Sequence, residues 1–129
     1  MFLMNSSHMF SCFTFPGMMD AAEEAMKAAA REKDGAVTVP LRTAVLREKN
    51  SLLLMPCLAD DLWGLKALTI FPDNPARSRP FLNGLVLLFD GTDGAPLALL
   101  DGRTLTALRT GSVGGAAVRA LARNDVRSL

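Results

Sequence analysis

The chain lacks several features that would place it in a class at once. It has only two cysteines, Cys12 and Cys57, in 129 residues. Two thiols cannot build a disulfide framework, so a reduced, cytoplasmic setting is the default. It has no basic excess: 14 Lys and Arg stand against 13 Asp and Glu, a formal net charge of +1. That argues against a nucleic-acid partner, which calls for a basic face. No apolar run reaches the length of a membrane span, which argues against a membrane partner. The opening MFLMNSSHMFSCFTF lacks the charged start and continuous apolar stretch of a secretory signal. It is also too poor in Arg for a mitochondrial presequence. His8 and Cys12 lie in it without a second pair of ligands, so no metal is expected there. Residues 1–15 therefore read as a loosely ordered or partly buried leader. There is no internal repeat, no low-complexity tract, and no GxGxxG after a strand.

What is present fits one packed domain. Half of the residues are hydrophobic, enough for a core, and the length suits a single domain. From Pro16 to Asp34 the pattern is helical, with Met18, Ala21, Ala22, Ala25, Met26 and Ala29 on one face. Glu23 and Lys27 are spaced for an ion pair one turn apart. Thr14 or Pro16 can start this helix and Gly35 can end it.

After Gly35 the period shortens. Residues 36–40, 41–47, 51–58 and 62–71 read as short β-prone or apolar runs, with Glu48, Lys49 and Asn50 as a hairpin turn. The segment PDNPARSRP, Pro72 to Pro80, is a loop. Gly84 to Phe89 and Ala95 to Leu100 form the clearest hairpin, closed by Asp90 to Gly94. Asp101 and Gly102 turn the chain into a second helix, Thr104 to Arg123. Consecutive strands with short turns pair antiparallel. The expected fold is α+β: an N-terminal helix, an antiparallel meander of five or six strands, and a C-terminal helix. The glycines of RTGSVGG lie on that helix, and their spacing alone does not make a phosphate loop.

Three cations stand in apolar surroundings. Arg42 follows Val-Pro-Leu at the start of a strand. Lys66 lies inside LWGLKALTIF, and Arg109 inside LTALRTGSV. Each can reach water along its stem or pair with Asp60, Asp61 or Asp101. If they converge, two guanidinium groups can hold a carboxylate and a desolvated lysine can move a proton at neutral pH. That set suits an amino-acid or keto-acid ligand.

At these residues the sequence resembles the ornithine cyclodeaminase/μ-crystallin family, which also holds archaeal-type alanine dehydrogenases and ketimine reductases. The resemblance runs from about Met18 to Arg123 and is strongest in VLLFDGTDGAPLALLDGRTLTALRTGSVGGAAVRALAR, Val86 to Arg123. LLLMP with GLKALTIFPDN, and VPLRT, add to it.

The resemblance implies roles. Arg42 would bind the substrate α-carboxylate. Lys66 would stand beside the reacting carbon and its heteroatom as the catalytic proton donor or acceptor. Arg109 would face the pocket shared by substrate and cofactor, with Thr110 near the cofactor phosphates. Met55 would line the pocket, and Asn83 would be the polar residue left near the cofactor. The implied cofactor is NAD or NADP. The implied chemistry is hydride transfer at an amino- or imino-acid α-carbon, as in ornithine cyclisation to proline, alanine dehydrogenation or ketimine reduction.

The family continues into a Rossmann half. Residues 16–123 would then be the substrate-binding, dimer-forming lobe, residues 124–129 the start of that half, and the partner a second copy joined through the sheet. A non-catalytic oligomerisation or small-ligand module is the alternative, as is an α+β domain whose cations are merely solvated.

Overall fold

In the computed structural model, the structure describes residues 1–30, 37–123 and 125. In chain order the elements are β1 (Phe2–Met4), α1 (Ser6–Cys12), α2 (Phe15–Ala30), β2 (Val37–Thr38), β3 (Thr43–Arg47), β4 (Asn50–Ala59), β5 (Leu62–Ile70), a short 3-10 helix (Pro75–Arg77), β6 (Leu82–Asp90), β7 (Pro96–Asp101) and α3 (Gly102–Leu121). The mixed α+β fold is the expected one.

Strands β3 to β7 form the antiparallel meander. Each pairs with the next, and β2 lies along the far half of β4. The turn between β3 and β4 is Glu48–Lys49, with Glu48 in the left-handed region at φ 55°. Asn50, expected in that turn, pairs with Arg47. Loop 72–80 is closed by Asn74, whose Nδ2 donates to the Pro80 carbonyl at 2.9 Å. Asp90 Oδ1 accepts from the Thr92 amide at 2.8 Å, fixing the β6–β7 turn.

The leader departs from a loosely ordered tail. Its strand β1 pairs parallel to β7, so the sheet is mixed and not purely antiparallel. Asn5 caps α1, accepting from the His8 amide at 3.0 Å, while His8 Nδ1 accepts from the Asn5 amide at 3.4 Å. Met9 is fully buried. Burying a methionine repays the ordering of a short segment with about 1.5–3 kcal/mol.

Helix α2 begins where Thr14 Oγ1 accepts from the Gly17 amide at 3.3 Å. Lys27 reaches Glu23 at 3.0 Å, as the spacing predicts. The proposed stop at Gly35, and the stretch from Arg31 to Ala36, lie outside the described residues. The expected apolar face is only partly used. Met18 and Ala22 are half-buried, but Ala21, Ala25, Met26 and Ala29 are exposed. The cause lies in α3. A Cβ placed at Gly115 would stand 3.0 Å from Met19 Sδ and 3.2 Å from Phe15 Cε1. Phe15 and Met19 therefore fill the room that this glycine leaves, and they set the helix rotation. Of the glycines of RTGSVGG, Gly111 and Gly115 face Phe15 from within a helix, and Gly114 faces open space.

Asp101 caps α3, accepting from the Arg103 and Thr104 amides at 2.9 and 3.0 Å. The helix lies on β5, β6 and β7. The core beneath it is Val86, Ala98 and Leu100, with Met4, Leu88 and Leu105 packed around them.

Candidate functional site

Side chains directly opposite across an antiparallel ladder point to the same face, and alternate residues do likewise. Met55 pairs with Lys66, Lys66 with Val86, and Val86 with Leu100. Val86 and Leu100 form the core under α3, so Met55 and Lys66 share the helix-covered face. Counting by two adds Cys57 on β4 and Gly64 on β5, which pair with each other. The sequence reading missed both, although period-two counting from Met55 and Lys66 finds them.

Pro56 shapes the edge of this row. Proline has no N–H for an outer neighbour, so pairing along β4 breaks there. Strand β3 pairs up to Leu54 and β2 resumes at Leu58. Residues 39–42 pass between them without strand pairing. Arg42 precedes Thr43, the partner of Leu54, and so stands at the register of Met55. It is exposed.

Lys66 is half-buried. Burial first, and then the positive charge of Arg109, push its pKa down. Arg109 arrives from α3, so β5 and α3 bring these two cations together. Lys66 does not pair with Asp60, Asp61, Asp101 or any other carboxylate among the described residues. Thr110 follows on α3 and donates its hydroxyl to the Thr106 carbonyl at 2.7 Å, leaving its oxygen able to accept.

Asn83 is placed elsewhere. It pairs with Thr69, three residues from Lys66 along β5, and so faces the other side of the sheet. That side holds a concavity of about 810 Å³, lined by Leu52, Ala67, Thr69, Asn83, Leu85 and Leu99 among others. It is an open apolar shelf. Leu3 and Leu85 on it are each half-exposed or more, at 64% and 50%. Among the described residues no group of three His, Cys, Asp or Glu is arranged to hold a metal. No described helix is long and apolar enough to cross a membrane.

The geometry can be set beside known proteins. The model of the ornithine cyclodeaminase/mu-crystallin family matches residues 8–129. A Δ(1)-pyrroline-2-carboxylate reductase of Bacillus cereus is 42% identical over 94 residues, covering 70% of this chain and 29% of the relative. Alanine dehydrogenase of Archaeoglobus fulgidus is 36% identical over 107 residues, covering 83% and 32%. Among solved structures, an archaeal alanine dehydrogenase dimer with bound NAD superposes with a TM-score of 0.87 at 31% identity. It covers 96% of this chain and 38% of that one. Thermococcus litoralis Δ(1)-pyrroline-2-carboxylate reductase in complex with NADH and L-proline gives 0.84 at 32%, covering 97% and 39%. The chain thus spans about a third of the length of these relatives.

Proposed function

The chain belongs to the ornithine cyclodeaminase/μ-crystallin family, and we propose that it is the substrate-binding, dimer-forming lobe of an NAD(P)-dependent enzyme of amino- or imino-acid metabolism in the cytoplasm. The observation that carries this reading is the meeting of Lys66 with Arg109 on the helix-covered face of the sheet, in the row of Met55.

The chemistry follows from the residues. Arg42 and Arg109 hold the α-carboxylate, because a guanidinium fork matches two carboxylate oxygens. Lys66 moves a proton at the amino or imino nitrogen. Its lowered pKa makes the free amine accessible nearer to neutral pH, so it accepts a proton in one direction and returns it in the other. Met55 and Val86 give the ligand an apolar floor. The Arg109 guanidinium and the Thr110 hydroxyl are the groups of this chain suited to an anionic, hydroxyl-rich cofactor. Asn83, on the far face, stands apart from that set. A nicotinamide, when bound, supplies the hydride acceptor or donor.

The open apolar shelf supports the second half of the reading, a homodimer through the sheet. An exposed apolar patch of this kind marks an interaction surface.

Heteronuclear NMR titration of the chain with L-proline tests the site. Saturable shifts are expected at the Met55, Lys66 and Arg109 amides, weakened in Arg42→Ala. Titration that leaves these amides unmoved overturns the proposal.

A further inference from the structure

Charge is divided between the two ends of the sheet. The β4–β5 turn carries Asp60 and Asp61, and the β6–β7 turn carries Asp93, all exposed. The two turns lie side by side, since the Gly91 amide donates to the Asp61 carbonyl at 2.7 Å. The opposite end holds Arg47, at the close of β3, and Arg103, in the first turn of α3, both exposed. These two arginines look onto the face turned away from α3. Arg103 lines the concavity that holds Leu85 and Leu99. Arg47 lines a neighbouring one with Val45, and the two concavities share Leu52 and Thr69. Within residues 47–49, 72–80 and 101–103, five cations stand against three acids, whereas residues 60–61 and 90–95 hold four acids and no cation. Neither the three aspartates nor the two arginines form an ion pair within the chain among the described residues.

We propose that the apolar shelf takes a second copy with its strands reversed, so that the Asp60, Asp61 and Asp93 end of each copy stands over the Arg47 and Arg103 end of the other. The inference rests on the sheet-face dimer of the reading above and gives that dimer its geometry.

Two identical sheets that meet face to face are related by a two-fold axis lying between them. Packed sheets align their strands or cross them near right angles. An axis along the strands brings like ends together and sets aspartates against aspartates and arginines against arginines. Like charges so placed at the rim of an interface oppose association. An axis across the strands brings unlike ends together, twice by symmetry. A crossed arrangement gains neither contact. The middle of the shelf does not choose among the three, because Ala67, Leu85 and Leu99 are apolar in any direction. Strands of nine or ten residues hold the two ends about 30 Å apart. That exceeds the screening length of about 8 Å at physiological salt, so the ends act as separate charges.

Sedimentation velocity of the whole chain at two ionic strengths tests the arrangement. The formal net charge is only +1, so overall repulsion between copies is small and salt reads the rim charges. From about 0.01 M to about 0.15 M the screening length falls from about 30 Å to about 8 Å, and the dimer Kd should rise several-fold. At low salt Asp61→Lys and Arg103→Glu should each weaken the dimer several-fold, with unchanged circular dichroism. The chain carrying both should recover much of the loss, because the exchanged charges again face each other. A dimer that tightens with salt, or a double variant weaker than either single one, overturns the arrangement and leaves the sheet-face dimer standing. A wild-type chain that stays monomeric at every concentration overturns both.

Discussion

Lys66 and Arg109 place two positive charges on one side of the sheet, one from β5 and one from α3, and no carboxylate ion pair offsets Lys66 among the described residues. Like charges brought close together weaken a fold. The arrangement therefore costs stability and eases loss of the proton from the Lys66 amine. Strain of this kind is expected where a ligand later supplies the missing negative charge.

Replacing Lys66 by methionine should accordingly stabilise the chain at neutral pH. The gain should stay below about 1 kcal/mol, because much of the side chain is in water. The sign follows from the lowered pKa. Between the folded and unfolded pKa values the unfolded chain binds more protons, so wild-type stability rises with pH across that window. The penalty is complete below the folded pKa and vanishes above the unfolded one. Urea midpoints of wild type and Lys66→Met should differ at neutral pH and converge in alkaline buffer. A difference that stays constant over that range counts against the assignment.

Met9 is the test of the leader. It is fully buried in α1, so Met9→Ala should lower the unfolding free energy by about 2–5 kcal/mol. Chemical denaturation measures this directly. A change within error would mean that residues 1–15 do not belong to the cooperative unit.

The meander was legible because its signals are local. Asp90 to Gly94 names its own turn, and Asp101 followed by Gly102 marks the start of α3. Lys66, Arg42 and Arg109 were legible as charged residues in apolar runs. Their placement was not, since spacing does not say which strands pair or where α3 crosses. Asn83 shows the difference. Its place on the far face depends on the register that pairs it with Thr69, and a shift of one residue would reverse it. The parallel pairing of Phe2 with Ala98 joins distant segments and leaves no local trace. The exposed half of the α2 face was equally hidden, because Gly115 on another helix decides it.

Two glycines of α3 should respond oppositely to alanine. A Cβ at Gly102 would lie 2.7 Å from the Gly84 carbonyl carbon and 2.7 Å from the Leu85 nitrogen. Backbone on β6 cannot move aside cheaply, so Gly102→Ala should cost about 1–3 kcal/mol. Gly114 meets nothing within 4 Å and lies inside the same helix. Gly114→Ala should gain up to about 1 kcal/mol from helix propensity. Thermal melts of the two variants should bracket the wild type. If both lie on the same side of it, α3 does not sit on β6 as closely as described.

The apolar shelf yields the last test. Leu85 lies in the middle of β6 on that face, half-exposed, and it pairs with Ala67 on β5. A lysine there would remove no core contact beneath α3, because residue 85 points away from Val86 and Leu100. Its charge would face a second copy only if two sheets meet on this side, where an unpaired buried cation is strongly unfavourable. In sedimentation velocity the wild-type chain should run as a dimer and Leu85→Lys as a monomer, with unchanged circular dichroism. The L-proline shifts at Lys66 should survive in the monomer, because the two faces of the sheet do separate work. A dimer that persists in Leu85→Lys would move the interface away from the sheet, toward the exposed residues of α2.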